Sequence, residues 1–172
     1  NAWALPGGKI ALNRGLLTEL NDEAELAAVL SHEIVHAAAR HGAQTMERGL
    51  LAQIGLLGLG LTVSDSKYGQ YSDLLIGAAS VGVALIQTSY SREAELEADY
   101  YGMKYMARAG YDPRAAVRLQ ETFVRLSKDR KENWLGGLFS THPPSPERVA
   151  ANIQTAAALP AGARTVESWV EG

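Results

Sequence analysis

The amino-acid sequence predicts a mainly α fold of the α+β class, with a small β-hairpin at the N-terminus. Two observations support this prediction. Apolar residues recur at helical spacing in several long segments, and a strong Pro-Gly-Gly turn signal separates two short segments near the first residue. The chain has 172 residues, which is enough for one domain with a sizeable core.

Composition excludes several classes of protein. Hydrophobic residues make up 47% of the chain, which is typical of a globular protein rather than a disordered one. The net charge of −3 gives no reason to expect nucleic acid as a partner. Because the chain contains no cysteine, it has neither disulfides nor thiolate metal ligands, and a metal site must use histidine and carboxylate.

The N-terminal hairpin is predicted from residues 1–5 and 9–13, which flank Pro6-Gly7-Gly8. Residues 14–20 then form a short helix or a turn. Two interpretations of the hairpin remain open. Its strands either only cover the core, or one of them offers an exposed edge to which an extended peptide can add as a further strand.

The next predicted helix starts at Asp22, a suitable N-cap, and Glu25 three residues later can complete a capping box. Gly42 is the candidate end of this helix, after Arg40 and His41, whose charges suit a helix C-terminus. Five apolar residues recur at helical spacing and are expected to face the core: Leu26, Val29, Leu30, Ile34 and Ala37.

This helix carries the most informative motif of the chain, the H-E-x-x-H sequence His32-Glu33-Ile34-Val35-His36. Residues four apart lie on one helix face, so the imidazoles of His32 and His36 can bind one metal ion. Glu33 flanks that position and can take a proton from a water that the metal activates. The alternative is that both histidines are ordinary core residues.

Two apolar segments follow, at 43–63 and 74–88, and residues 64–72 form a polar loop between them. Each strongly apolar stretch falls short of the roughly 20 residues that span a membrane. We therefore expect two buried helices. A hairpin that touches a membrane surface is the alternative.

A second informative helix is predicted over residues 91–109. Glu95 and Asp99 are four residues apart and share one face, whereas Glu93 and Glu97 share a different face. We expect Glu95 to be the third metal ligand. Asp99 can then accept a hydrogen bond from a ligand imidazole, which fixes the tautomer of that ring.

Small residues on this helix support that choice. Ala98 and Gly102 lie near the face of Glu95 and Asp99, so this face can approach another helix closely. Glu93 and Glu97 are expected on a solvated face. The alternative is that all the acids of this helix are surface charges.

The C-terminal part of the sequence predicts two more helices. One starts at Asp112-Pro113 and runs to about Lys128, and its expected buried positions are Ala116, Leu119, Phe123, Val124 and Leu126. The last starts at Ser145-Pro146 and runs to about residue 158. Residues 134–139 between them are apolar and glycine-containing, which suggests a flap near the site.

His142 lies on a loop framed by prolines, just before the last helix. It is either a plain polar loop residue or part of the site. In the site it could polarise a substrate carbonyl, donate to an oxyanion, or bind the metal when no substrate is present.

Four segments carry a resemblance to a known family: NAWALPGG, HEIVH, SREAELEADYYG and STHPPSPER. Together they resemble the zinc metalloproteases that include the CAAX prenyl proteases and the bacterial HtpX membrane protease. The sequence is most similar to the soluble cell-envelope members of the BepA and LoiP type. The resemblance extends from the first residue to Arg148, with the motifs in the family's order.

The resemblance implies a gluzincin with a zincin-like helical metalloprotease domain. One zinc ion per chain is held by His32, His36 and Glu95, with Glu33 as the catalytic base and acid. In this family the histidine that matches His142 contacts substrate or blocks the site. We expect residues 1–172 to form a single catalytic domain, without the segment that precedes NAWALPGG in the family and without a repeat domain.

The resemblance also implies a function. We expect a zinc endopeptidase that cleaves extended or unfolded polypeptides, in particular misassembled proteins of the bacterial periplasm or cell envelope. Peripheral association with a membrane is compatible with the apolar segments between residues 50 and 88. The alternative is a latent protease, or a non-catalytic zinc-containing chaperone-like module that binds exposed apolar segments.

Overall fold

The computed structural model of this chain describes residues 1–5, 7–64, 89–128 and 136–162. These residues form a two-stranded antiparallel sheet and seven helices, which confirms the predicted mainly α class. The elements are β1 (Ala2–Leu5), β2 (Lys9–Leu12), α1 (Arg14–Leu17), α2 (Glu23–Ala38), α3 (His41–Ser64), α4 (Arg92–Arg108), α5 (Arg114–Lys128), α6 (Gly136–Thr141) and α7 (Pro146–Ala157). The helix expected at 74–88 lies outside the described residues.

The N-terminal hairpin has the predicted position. β1 and β2 pair in the register Ala2 to Leu12 and Leu5 to Lys9. The turn requires left-handed backbone at Gly7 and Gly8, with φ of +86° and +80°, which glycine adopts without steric cost. Within the described part of the chain this sheet has only two strands, so each strand keeps one edge without a strand partner.

Helix α2 begins as predicted, because the Asp22 side chain accepts a hydrogen bond from the backbone N–H of Glu25 at 2.8 Å. The second half of the predicted capping box is wrong. The Glu25 carboxylate accepts instead from the N–H of Asn21, one residue before the cap. The predicted end at Gly42 is also wrong, since Arg40 adopts a left-handed φ of +59° and ends the helix earlier.

The buried face of α2 differs from the one predicted by apolar spacing. Of the five apolar residues expected to face the core, Val29 alone is buried, and Ile34 is 45% exposed. The buried face instead carries small residues and polar groups, among them Ala24, Ala28 and Glu33. Helix α2 therefore turns its motif inwards and leaves part of its apolar stripe at the surface.

The core lies where α2 packs against α4, α5 and the hairpin. Its buried residues are Ala2, Leu16, Ala24, Ala28, Val29, Met106, Ala115, Leu119 and Leu138. The predicted close approach of α2 and α4 is confirmed at Gly102, where an added Cβ would lie 3.1 Å from the backbone nitrogen of His32. This contact fixes how near the two helices that carry the motifs can lie.

The helices after α4 support the site from the other side. Ser91 and Ser145 cap α4 and α7, and Asp112 accepts from the backbone N–H of Arg114 at the start of α5. Leu119 is buried as predicted on α5, while the other four expected positions are partly buried. The flap interpretation is wrong for residues 136–139, because they belong to α6 and its Leu138 packs in the core.

In the part of the chain that the structure describes, no helix is long and apolar enough to cross a membrane. The apolar segment 43–63, the first of the two helices expected to be buried, belongs to α3. The expected burial is wrong for its described apolar side chains Met46, Leu50, Leu51 and Ile54, each of which is more than half exposed.

Candidate metal centre

Helices α2 and α4 bring three potential ligands together. His32 and His36 lie one turn apart on α2, and their Nε2 atoms are 3.0 Å from each other. Glu95 on α4 faces them, with carboxylate oxygens 3.5 Å from His32 Nε2 and 3.2 Å from His36 Nε2. The helical spacing in the sequence thus places these side chains as expected, on faces that Gly102 lets approach closely.

His142 completes the cluster from the loop after α6. Its backbone N–H donates to the carbonyl of Leu138 at 2.8 Å, which anchors the start of this loop to the helix. The His142 ring is buried, with Nδ1 3.0 Å from Glu95 Oε1 and Nε2 3.4 Å from Glu33 Oε1. The interpretation of His142 as a plain polar loop residue is therefore wrong, because its buried ring belongs to the site.

The residues present fit a metal ion. One atom each from His32, His36, Glu95 and His142 lies within 4.8 Å of the others. One carboxylate oxygen of Glu33 is buried without a hydrogen-bond partner among the described residues, and so is Glu95 Oε2. A nitrogen-rich set with one carboxylate is the donor chemistry that Zn²⁺ prefers, although other divalent ions use similar ligands.

A buried arginine organises the outer side of this cluster. Asp99 Oδ1 lies 2.9 Å from His32 Nδ1, as the sequence predicted. Arg148 on α7 donates to both oxygens of Asp99 at 2.7 Å and to the carbonyl of Pro143 at 3.1 Å. Its Nη1 also lies 2.6 Å from Glu95 Oε2, at an angle that makes this an ion pair without a proper hydrogen bond. Arg148 thus connects α4 with the loop that carries His142.

The pKa values show how the site balances charge. Burial lowers the pKa of His32, but Asp99 and Glu95 outweigh burial and raise that pKa to about 10. Burial dominates at His36 and lowers its pKa to about 3. At Glu95, hydrogen bonds from the histidines outweigh burial and hold the pKa well below its usual range. The site therefore favours an ionised carboxylate next to a positive charge.

Sequence reasoning missed the role of His41. It was expected at a helix C-terminus, but it starts α3, and its ring is buried. Its Nδ1 lies 2.9 Å from His36 Nδ1, and its Nε2 lies 3.5 Å from a Glu97 oxygen. All four histidines of the chain therefore lie in one cluster.

Two further residues near the cluster could not be assigned from the sequence. Tyr90 stacks on His36 with ring centroids 4.0 Å apart, and burial raises the pKa of its hydroxyl. Its place just before the Ser91 cap of α4 was the one available signal. Arg148 had a comparable signal, its position in the first turn of α7. Sequence spacing does not distinguish a buried arginine from a solvated one, so this signal could not assign Arg148 to the site.

The predicted surface acids differ in role. Glu93 is exposed as expected, and the Glu97 side chain is 48% exposed although it reaches His41. Glu95 and Asp99 are buried. The alternative in which all four acids are surface charges is therefore wrong.

Comparison with known proteins places this geometry in a family. The sequence profile of peptidase family M48 matches residues 1–156. The mitochondrial metalloendopeptidase OMA1 of Arabidopsis thaliana is 37% identical over 148 residues, which cover 86% of this chain and 28% of that protein. The beta-barrel assembly-enhancing protease of Escherichia coli K12 is 31% identical over 154 residues, or 87% of this chain and 31% of that protein.

A smaller relative gives the same result. The metalloprotease YcaL of Escherichia coli is 30% identical over 152 residues, which cover 87% of this chain and 55% of YcaL. The chain spans between 28% and 55% of the length of these relatives. The predicted resemblance and its zincin-like fold are confirmed, and the chain belongs to peptidase family M48.

Proposed function

We propose that this chain is a zinc-dependent endopeptidase, with one zinc ion held by His32, His36 and Glu95. The observation that carries this proposal is the position of Glu33. Its carboxylate is buried beside the ligand cluster, and one of its oxygens has no hydrogen-bond partner among the described residues. Leaving a buried carboxylate oxygen unpaired is costly, so this arrangement is expected where a water must be bound and deprotonated.

Glu33 performs the proton transfers in this proposal. A bound zinc ion supplies Lewis acidity towards the water and the scissile carbonyl. Glu33 accepts a proton from the attacking water and then delivers it to the leaving amine. Asp99 holds the Nδ1 proton of His32, so that Nε2 of that ring stays directed at the cluster.

We infer that the substrate binds in an extended form. Ala2 of β1 lines the cavity that also contains Glu33, so β1 lies beside the site. A strand edge beside a catalytic site can bind an extended segment through backbone hydrogen bonds. Folded proteins do not present such segments, which favours unfolded or misassembled proteins as substrates. The similarity to the beta-barrel assembly-enhancing protease of Escherichia coli supports a cell-envelope substrate and a location in the bacterial periplasm or envelope.

His142 supports a second proposal, that the enzyme is latent in this conformation. The ring of His142 lies between the ligand cluster and Glu33, where an attacking water and a substrate carbonyl have to enter. It must move before substrate binds. We expect His142→Ala to raise peptide cleavage if the residue only blocks the site. A fall in kcat would instead assign His142 to stabilisation of the oxyanion.

The test of the main proposal is zinc content and casein cleavage of the same purified samples, wild type beside Glu33→Gln. We expect one zinc per chain in both and cleavage only in the wild type. Glu121→Gln, the same change at an exposed acid on α5, is the matched control and should cleave like the wild type. Zinc binding without wild-type cleavage, also in His142→Ala, would favour the non-catalytic chaperone-like alternative. Absence of zinc from the wild type would refute the metal site.

A further inference from the structure

A cavity of about 60 Å³ adjoins the proposed catalytic residue, and Asp99 of α4 is among its lining residues. Glu33 and His142 also lie in its wall. The rest of the wall comes mainly from α2, α5 and α6 and is mostly apolar, with Val29, Phe123 and Leu138 among the lining residues. The cavity therefore runs from the site towards the hydrophobic core.

Besides the Glu33 carboxylate, a second polar group in this wall has no hydrogen-bond partner among the described residues. Gln120 on α5 is only 5% exposed, and its amide nitrogen is buried without a hydrogen-bond acceptor among the described residues. A buried amide that lacks an acceptor destabilises the fold, whereas most buried side-chain polar groups are paired. The arrangement is explained if a bound molecule brings an acceptor into the cavity.

The reaction geometry identifies which part of a substrate reaches this cavity. To receive a proton from Glu33, the leaving nitrogen must lie about 3 Å from its carboxylate. The residue that contributes this nitrogen has its side chain two bonds further on. Glu33 lines the cavity, and so does Val29, about one turn away on the same helix. The substrate side chain attached next to the leaving nitrogen is therefore the part of the substrate nearest to the cavity.

We propose that this cavity binds the side chain of the residue that follows the scissile bond, and that Gln120 is a specificity-determining residue that selects a small hydroxyl side chain, threonine above all. This proposal rests on the proposed endopeptidase function. The volume admits such a side chain, because about 60 Å³ is several times the ~10–15 Å³ that one water-sized group needs. The threonine hydroxyl accepts from Gln120, and its methyl group packs on the apolar wall.

Threonine and valine have the same shape, so a pair of peptides that differ only in this residue measures the hydrogen bond directly. With the wild type we expect kcat/KM to be roughly tenfold higher for the threonine peptide, the size of one well-placed hydrogen bond. Gln120→Met keeps the length of the side chain and removes the donor, so the preference for threonine over valine should disappear.

Two further measurements separate this proposal from the proposed function. Gln154→Met makes the same substitution at an exposed position of α7 and should keep the wild-type preference. Binding of the same peptides to zinc-loaded Glu33→Gln, followed by fluorescence anisotropy, tests the cavity without any cleavage. Stronger binding of the threonine peptide in the absence of wild-type cleavage would support the cavity and refute the protease. Cleavage with equal kcat/KM for threonine and valine, or an unchanged preference in Gln120→Met, would overturn the cavity proposal alone.

Discussion

Replacing Gly102 with alanine tests whether the spacing of α2 and α4 determines the geometry of the site. The added Cβ would lie 3.1 Å from His32 N, 3.3 Å from His32 Cα and 3.3 Å from the carbonyl carbon of Ser31. Non-bonded heavy atoms of this kind are most stable at about 3.5–4.0 Å. All three neighbours are helix backbone and cannot rotate away, so α4 must move outwards by about 0.4 Å.

The magnitude follows from two opposing terms. Overpacking of this kind costs about 1–3 kcal/mol. Replacing glycine with alanine within a helix stabilises the folded state by about 1 kcal/mol. We therefore expect the free energy of unfolding to fall by about 1 kcal/mol, and the melting temperature by about 2–4 °C for a domain of this size.

The effect on activity should be larger than the effect on stability. Glu95 and Asp99 precede Gly102 by two turns and one turn on α4, so the same movement draws both carboxylates away from His32. A misplacement of 1 Å in an active site can cost about 100-fold in rate, so 0.4 Å corresponds to roughly tenfold in kcat/KM.

Gly55→Ala is the matched control, because it makes the same change within α3, where an added Cβ meets nothing within 4 Å. We expect it to stabilise the protein by up to about 1 kcal/mol without loss of activity. Urea unfolding and peptide cleavage of both variants give the comparison. If Gly102→Ala is as stable and as active as Gly55→Ala, the contact between the helices does not set the site geometry.

Three further changes test other parts of the structure. Arg148→Lys keeps the positive charge, but a lysine side chain cannot bind both oxygens of Asp99. We expect the free energy of unfolding, measured with urea, to fall by about 3 kcal/mol. An unchanged unfolding midpoint would contradict a structural role of Arg148. His41→Phe keeps an aromatic ring but removes the hydrogen-bond partner of His36 Nδ1. We expect this variant to bind zinc about 10–100-fold more weakly in competition with a chelator. Equal zinc affinity would show that His41 does not orient His36. The pKa of the Asp112 carboxyl is lowered because Arg114 donates hydrogen bonds to it. The carboxylate charge therefore stabilises the fold fully above the ordinary pKa of an aspartate, about 3.9. This stabilisation is lost as the pH falls through the lowered pKa. Asp112→Asn should therefore be less stable than the wild type at pH 7, and the difference in urea midpoint should shrink below about pH 4; a constant difference would exclude the charge as its cause.

The features that the sequence predicts correctly are those set by local spacing. The pairs His32/His36 and Glu95/Asp99 each lie four residues apart on one helix, and helical geometry alone directs each pair to one side. The caps of α2 and α7 and the glycine turn of the hairpin are equally local, since they depend on hydrogen bonds and backbone angles within a few residues.

The features that the sequence does not predict depend on which surfaces pack together. The apolar spacing on α2 predicts that the face through Ile34 is buried. The structure instead packs a different face of α2 against α4 at Gly102, and that face carries the buried polar ligands. His41 and Gln120 look like ordinary surface residues until the tertiary fold places His36 and Glu33 near them. No local pattern marks a polar residue whose partner is distant in the sequence.

Formal charge connects the local and distant parts of the site. Three carboxylates are buried around the histidines, those of Glu33, Glu95 and Asp99, and Arg148 is the one guanidinium buried among them in the described chain. Burying an excess of negative charge is costly unless a cation compensates it. A proton on His32 compensates one charge, and a divalent metal ion compensates the whole excess. The acids that the proposed mechanism needs are therefore also the groups through which we expect a bound metal ion to stabilise the fold.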